Sequence, residues 1–262
     1  MNRISLGQQT DLAILELTGS EINTYEDHVV VKTPQNPNYH WGNFILVLDP
    51  AKINDCSYWV SRFEHEFPDK DWIALDLPEM PSDTASWEKQ GIALEKLDVL
   101  SSNSTPSKAP LPSGYTTRAL QGSDWEALIL QEIAGLVSEY DYEPEKVEAF
   151  VRETNAARQR LCREENAAWF GAFLGEDLVA NLGVIKCGKT ARYQSVETHP
   201  DHRRKGLASH LLGIAATWSE QKACDKWVIV TEETNDAGRV YRRAGFKPDV
   251  PTVNAYRKPK RS

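Results

Sequence analysis

Between Val196 and Leu212 the chain reads VETHPDHRRKGLASHLL, and no other stretch restricts the possible fold as strongly. Its first residues suit a strand that ends at Pro200, and an amphipathic helix begins near Gly206. A strand passed to a helix through a short turn belongs to a mixed α/β arrangement rather than a bundle or a sandwich. The turn carries Arg203, Arg204, Lys205 and Gly206. Glycine lets the backbone turn tightly and approach a ligand with no Cβ in the way, and the first turn of a helix leaves N–H groups unpaired. The helix dipole adds partial positive charge at that end and the basic side chains add full charges, a combination suited to phosphate. The same residues also read as a solvated basic turn leading into a core helix.

The flanking sequence supplies further strands and helices. Gly114–Leu120 suits a strand, and Ser123 with Glu126 forms a capping-box pattern before a helix over Asp124–Ser138. Pro144 opens a second helix that runs to Arg163. Ala168–Leu174 and Leu178–Lys186, joined through Gly175-Glu176-Asp177, read as a hairpin, with Arg192–Thr198 as the next strand. Beyond a helix over Leu207–Gln221 come a strand at Trp227–Thr231, a helix near Ala237–Ala244, and a last strand after Gly245-Phe246.

At 262 residues the chain is long enough for two domains. Ser101–Ser113, SSNSTPSKAPLPS, has the composition of a linker, so we expect domains at 1–100 and 114–262 around a linker at 101–113. Residues 1–110 hold 8 Lys+Arg against 17 Asp+Glu, a net −9, while the remainder holds 22 against 21, a net +1. Neither half is net basic, which argues against a nucleic-acid partner. No apolar run is long enough for a membrane helix, and Met1–Leu17 is interrupted by Arg3, Gln8, Gln9 and Asp11 rather than built as a signal peptide. A cytoplasmic protein with no membrane partner is expected. Cys56, Cys162, Cys187 and Cys224 lie far apart without zinc spacing, so reduced thiols and no metal are expected.

The pattern R-x-x-G-x-A, from Arg203 through Gly206 to Ala208, resembles the Q/R-x-x-G-x-G/A signature of the GNAT superfamily of acetyl-CoA-dependent N-acetyltransferases. Further on, NDAGRVYRRAGF from Asn235 to Phe246 resembles that family's late helix and its Asn…Tyr…Gly-Phe pattern. The resemblance spans about Gly114 to Lys258. It implies acetyl-CoA as cosubstrate, no metal, and transfer of acetyl to a primary amine of a small molecule or peptide by direct attack on the thioester. Residue by residue, Val196 and Thr198 would offer strand backbone to the pantetheine arm and acetyl carbonyl. Arg203, Arg204, Lys205, Gly206, Leu207 and Ala208 would wrap the pyrophosphate, with Ser209 as a further donor. Asn235 would contact the cofactor near its pantetheine. Tyr241 would stand near the thioester sulfur as the acid, its phenol suited to protonating a thiolate, although it also reads as a packing aromatic.

A general base is less evident. Strict alternation puts Arg192, Gln194, Val196 and Thr198 on one face and Tyr193, Ser195 and Glu197 on the other. Glu197 is the strand's one carboxylate and points away from the Val196 face unless a bulge re-aims it. It is the candidate base, with a surface acid as the other reading, and His199 and His202 are loop neighbours.

The first half echoes the second. Trp72 to Trp87 spans 15 positions and Trp227 to Tyr241 spans 14, each followed by a similar Gly-containing turn. Phe44–Leu48 ending in Asp49-Pro50 parallels Val196–His199 ending in Pro200. From Pro50 to Trp72, however, there is no basic R-x-x-G turn, and Asp49–Asp55 is acidic. The expectation is therefore an α/β (α+β mixed sheet) fold of two GNAT-like domains in tandem, each a twisted mixed β-sheet flanked by helices. The first would be degenerate and unable to bind CoA. Its net charge would favour a cationic acceptor if it lines the cleft. A CoA-binding sensor or interaction protein with little transferase activity is the alternative function.

Overall fold

The computed structural model describes residues 4–139, 143–234 and 237–259. In chain order the first elements are α1 (Leu6–Thr18), β1 (Glu21–Thr24), β2 (His28–Lys32), β3 (Phe44–Val47), α2 (Cys56–Glu66), β4 (Ile73–Leu77), α3 (Thr84–Lys89) and β5 (Ala93–Ser102). Next come β6 (Tyr115–Ala119), α4 (Ser123–Glu139), α5 (Pro144–Arg163), β7 (Ala167–Leu174), β8 (Asp177–Cys187) and β9 (Thr190–Thr198). The chain continues through α6 (Leu207–Gln221), β10 (Lys226–Glu232), α7 (Ala237–Arg243), β11 (Lys247–Pro248) and β12 (Thr252–Arg257). Two compact units result. One comprises the chain to Val99, Glu232–Thr234 and the segment from Asp249; the other comprises Leu100–Thr231 and Asn235–Pro248.

In the first unit the strand order is β1-β2-β3-β4-β12-β5. The β3–β4 pair is parallel, because α2 carries the chain back across the sheet, and the other pairs are antiparallel. The apolar sides of α2 and α3 are buried through Trp59, Phe63 and Trp87, each 0% exposed. Helix α1 begins with a reciprocal capping box between Ser5 and Gln8, and the Gln8 Nε2 donates to Asp76 Oδ1 on β4 at 2.8 Å. Burial pushes the Asp76 carboxyl up to about 8.

The second unit orders its strands β10-β9-β8-β7-β6, with β11 on the last residues of β5. The β9–β10 pair is parallel and connected by α6; the others in that run are antiparallel. Leu211, Leu212, Ala215 and Ala216 of α6 pack on Ala180, Leu182, Val184 and Tyr193. On the opposite face, Trp125 of α4 meets Trp169 of β7 with ring centroids 6.0 Å apart.

Three expectations need correction. The segment 114–262 is not one domain, since the chain returns to the first unit and β12 completes that unit's sheet by pairing with β4 and β5. The last strand is split accordingly into β11 and β12. The Pro-rich stretch at 101–113 is no free spacer. It lies against α6, where a Cβ on Gly213 would stand 2.5 Å from Lys108 Cα, and the Ala109 carbonyl accepts from His210 Nδ1 at 2.7 Å. The Ser123 capping box does not form either. Glu126 is drawn to Arg152, and the Asp124 carboxylate takes the Gln121 N–H together with Arg118.

Candidate active site

The N-terminus of α6 is a cradle with no internal occupant. Gly206 is its cap at φ +88, no side chain caps the first turn, and a Cβ on Gly206 would find nothing within 4 Å. Arg204 also adopts positive φ, 61°. Leu207 is buried and pins the turn to the core, leaving the backbone of Leu207, Ala208 and Ser209 to present N–H groups outward. The three cations differ in role. Arg203 Nε donates to the Thr198 carbonyl at 3.1 Å, tying the loop to the end of β9. Lys205 Nζ donates to Tyr115 Oη at 3.1 Å, and that hydroxyl meets His202 Nδ1 at 2.8 Å. The Arg204 side chain is exposed, with no hydrogen bond or ion pair among the described residues. Tyr115 escaped the sequence reading because it lies 90 residues from Lys205 and only the fold brings them together.

Strand β9 is open on one side and bulged. Its ladder to β10 ends at Arg192↔Val228, so the two parallel strands part before Val196. On the other side the register to β8 shifts: Gly183 faces Gln194, whereas Asn181 faces Glu197. One residue of β8, Leu182, thus faces two of β9, Ser195 and Val196, with Ser195 at φ +47 in the bulge. Because cross-strand partners share a face, Gln194 and Glu197 lie together on the face of Gly183 and Trp169, toward α4 and α5. Tyr193 and Thr198 lie opposite Val184 and Ala180 on the α6 face, and Val196 packs there too. The alternation expected from the sequence is therefore broken, and Glu197 turns, exposed, away from the α6 core.

Tyr241 of α7 is 4% exposed and packs edge-on to Phe246 at 6.5 Å; Phe246 in turn meets Tyr193 at 5.7 Å. It thus stands on the α6 side of the sheet, opposite to Glu197. Its hydroxyl makes no hydrogen bond among the described residues, and burial pushes the phenol up to about 12. Asn235 lies outside the described residues. A cavity of about 250 Å³ lined by Lys108, Phe170, Ile214, Thr217, Trp218 and Gln221 lies along later turns of α6, away from its N-terminus. No group of His, Cys, Asp and Glu among the described residues could hold a metal, and no described helix is long and apolar enough to cross a membrane.

The first unit repeats the geometry without the cradle. As β9, α6 and β10 form a parallel crossover with a 3₁₀ turn at Pro200–His202, so do β3, α2 and β4 with one at Pro50–Lys52. At the start of α2, however, the Asp55 carboxylate accepts from the Tyr58 N–H at 3.0 Å. A side-chain anion already fills the position where a phosphate would sit.

The model of the acetyltransferase (GNAT) family matches residues 130–246, and this segment is a GNAT-family acetyltransferase domain. A GCN5-related N-acetyltransferase from Kribbella flavida shares the fold over 98% of each chain, with TM-score 0.66 at 13% identity. One from Sphaerobacter thermophilus gives 0.61 at 16% identity, over 92% of this chain and 83% of its own. A tandem GNAT protein from the clavulanic acid biosynthesis pathway gives 0.54 at 13% identity, over 99% of this chain and 98% of its own. The fold is thus that of tandem GNAT proteins. No curated protein matches the sequence.

Proposed function

We infer that the second unit transfers the acetyl group of acetyl-CoA to a primary amine, and that the first unit binds no CoA. The observation that carries this reading is the uncapped, cationic start of α6 beside the parted strands β9 and β10, within the family segment. The N–H groups from Gly206 to Ser209, with the Arg204 side chain, would hold the pyrophosphate. Arg203 and Lys205 would serve mainly to shape and charge the loop, since both are already bonded within it. Val196 and Thr198 would present β9 backbone to the pantetheine arm where β10 no longer pairs. Asn235 would add a contact near the pantetheine.

The acetyl thioester supplies an activated acyl group, and the amine attacks its carbonyl carbon directly. Parted strands expose the reacting centre to both faces of the sheet. Glu197 accepts the amine's proton from the α4–α5 side, directly or through water, and Tyr241 gives its phenolic proton to the departing sulfur from the α6 side. The acceptor is a small-molecule or peptide amine. The net −9 of residues 1–110 favours a cationic one.

Calorimetry with CoA followed by an amine-library assay tests this. One CoA per chain and amine-stimulated release of CoA are expected, with kcat/KM for dicationic amines falling as salt rises. Tight binding with slow hydrolysis that no amine accelerates would instead establish a CoA-binding sensor.

A further inference from the structure

A buried polar network that the reaction above leaves unused meets the bulge of β9. Arg158 of α5 donates from Nη1 to Glu132 Oε1 of α4 at 2.7 Å and to Asn155 Oδ1 at 3.3 Å. From Nη2 it donates to Ser195 Oγ at 2.8 Å. Asn155, itself without exposed surface, closes the triangle by donating from Nδ2 to Glu132 Oε2 at 2.6 Å and to the Val151 carbonyl at 3.0 Å. The Arg158 and Glu132 side chains are 16% and 11% exposed, and the guanidinium lies over the Trp169 ring at 5.0 Å.

A charged pair so placed is held in one geometry by its remaining hydrogen bonds, because any other arrangement would strand a buried charge. Its reach to β9 falls on Ser195, the residue in the left-handed region. A serine there is disfavoured unless its surroundings fix it, and a charge-assisted hydrogen bond to Oγ does so. The stake is orientation. Side chains alternate with period two, so a strand relaxed to regular pairing would return Glu197 to the α6 face.

We propose that Arg158, fixed by Glu132 and Asn155, is a positioning residue that holds the β9 bulge through Ser195 and thereby sets the direction of Glu197. Its consequence for turnover rests on Glu197 being the base; the hold on the bulge does not.

The experiment uses the full chain with two variants. Ser195→Ala removes the acceptor, and the double variant Glu132→Gln/Arg158→Met removes both charges so that neither remains buried alone. Amide hydrogen exchange at 195–197 accelerates about tenfold or more in each, while Ala191 to Tyr193 stay as protected as before. Ser195→Ala lowers kcat about tenfold with little change in KM for acetyl-CoA, and in a Glu197→Gln background the same substitution costs less than about twofold. Unchanged exchange in both variants overturns the clamp. An equal loss of kcat with and without Glu197 overturns its role in aiming that residue. Should Glu197→Gln alone leave kcat intact while exchange accelerates, the base assignment falls and the hold on the bulge stands.

Discussion

Tyr241 and Asp76 are buried ionisable residues to which the fold assigns opposite duties. Tyr241 keeps its proton because burial pushes the phenol up to about 12, and its hydroxyl has no partner to satisfy among the described residues. Tyr241→Phe is therefore expected to leave CoA affinity and melting temperature nearly unchanged while lowering single-turnover acetyl transfer by about 10- to 10⁴-fold. Asp76 works against the fold as pH rises. Its carboxyl titrates at about 8 when folded and at the ordinary aspartate value, about 3.8, when unfolded. The folded state thus holds an extra proton between those values, and its stabilising share is lost with rising pH until the folded group ionises. Thermal unfolding between pH 7 and pH 9 should show the chain losing stability as pH rises, by roughly 1 kcal/mol per pH unit, and levelling off once the folded carboxyl is ionised. In Asp76→Asn, which keeps an oxygen to accept from Gln8, that slope should vanish and the protein should be more stable at pH 8. Melting curves across pH decide it.

Helices α6 and α2 begin at equivalent points of their units, yet one start is open and the other is closed by Asp55. Gly206→Val forces a β-branched residue into φ +88 and should weaken CoA binding at least about tenfold. Asp55→Ala should cost about 1 kcal/mol of first-unit stability as a lost cap and leave CoA affinity unchanged. Calorimetry beside denaturant titration separates the two. Why one start could be recognised in the chain while its setting could not is a matter of distance. The α6 turn is written in neighbouring residues, Arg203 to Ala208, and the limits of α5 and α6 follow from Pro144 and from local apolar spacing. The bulge at Ser195 is not local. Nothing in QSVET departs from an ordinary strand, and the residues that select the bulge, Arg158 and Glu132, sit on two other helices. The strap at 101–113 has the composition of a spacer, and only the missing side chain of Gly213 marks where it lies down. Likewise β12 is legible as a strand, but its partners β4 and β5 are set by long-range pairing.

The first unit depends on a strand that follows the second unit in the chain. β12 stands between β4 and β5, pairing Val253–Arg257 with one and Thr252–Tyr256 with the other. Removing the chain from Asp249 onward should therefore unfold the first unit while the second keeps its own core and ladder. Tryptophan fluorescence would detect it, because Trp59, Trp72 and Trp87 are buried in the first unit, and a synthetic peptide covering 249–259 should restore the native signal. Two native-like units in the truncated protein would contradict this. The same insertion has a bearing on how the protein is made. Strands β4 and β5 leave the ribosome early, and the strand that joins them arrives about 150 residues later. At about 5 to 20 residues per second the half-sheet waits roughly 8 to 30 seconds with two strand edges unpaired. The half-sheet of β4 and β5 is thus closed only after the second unit has been made, and until then it is a substrate for a chaperone.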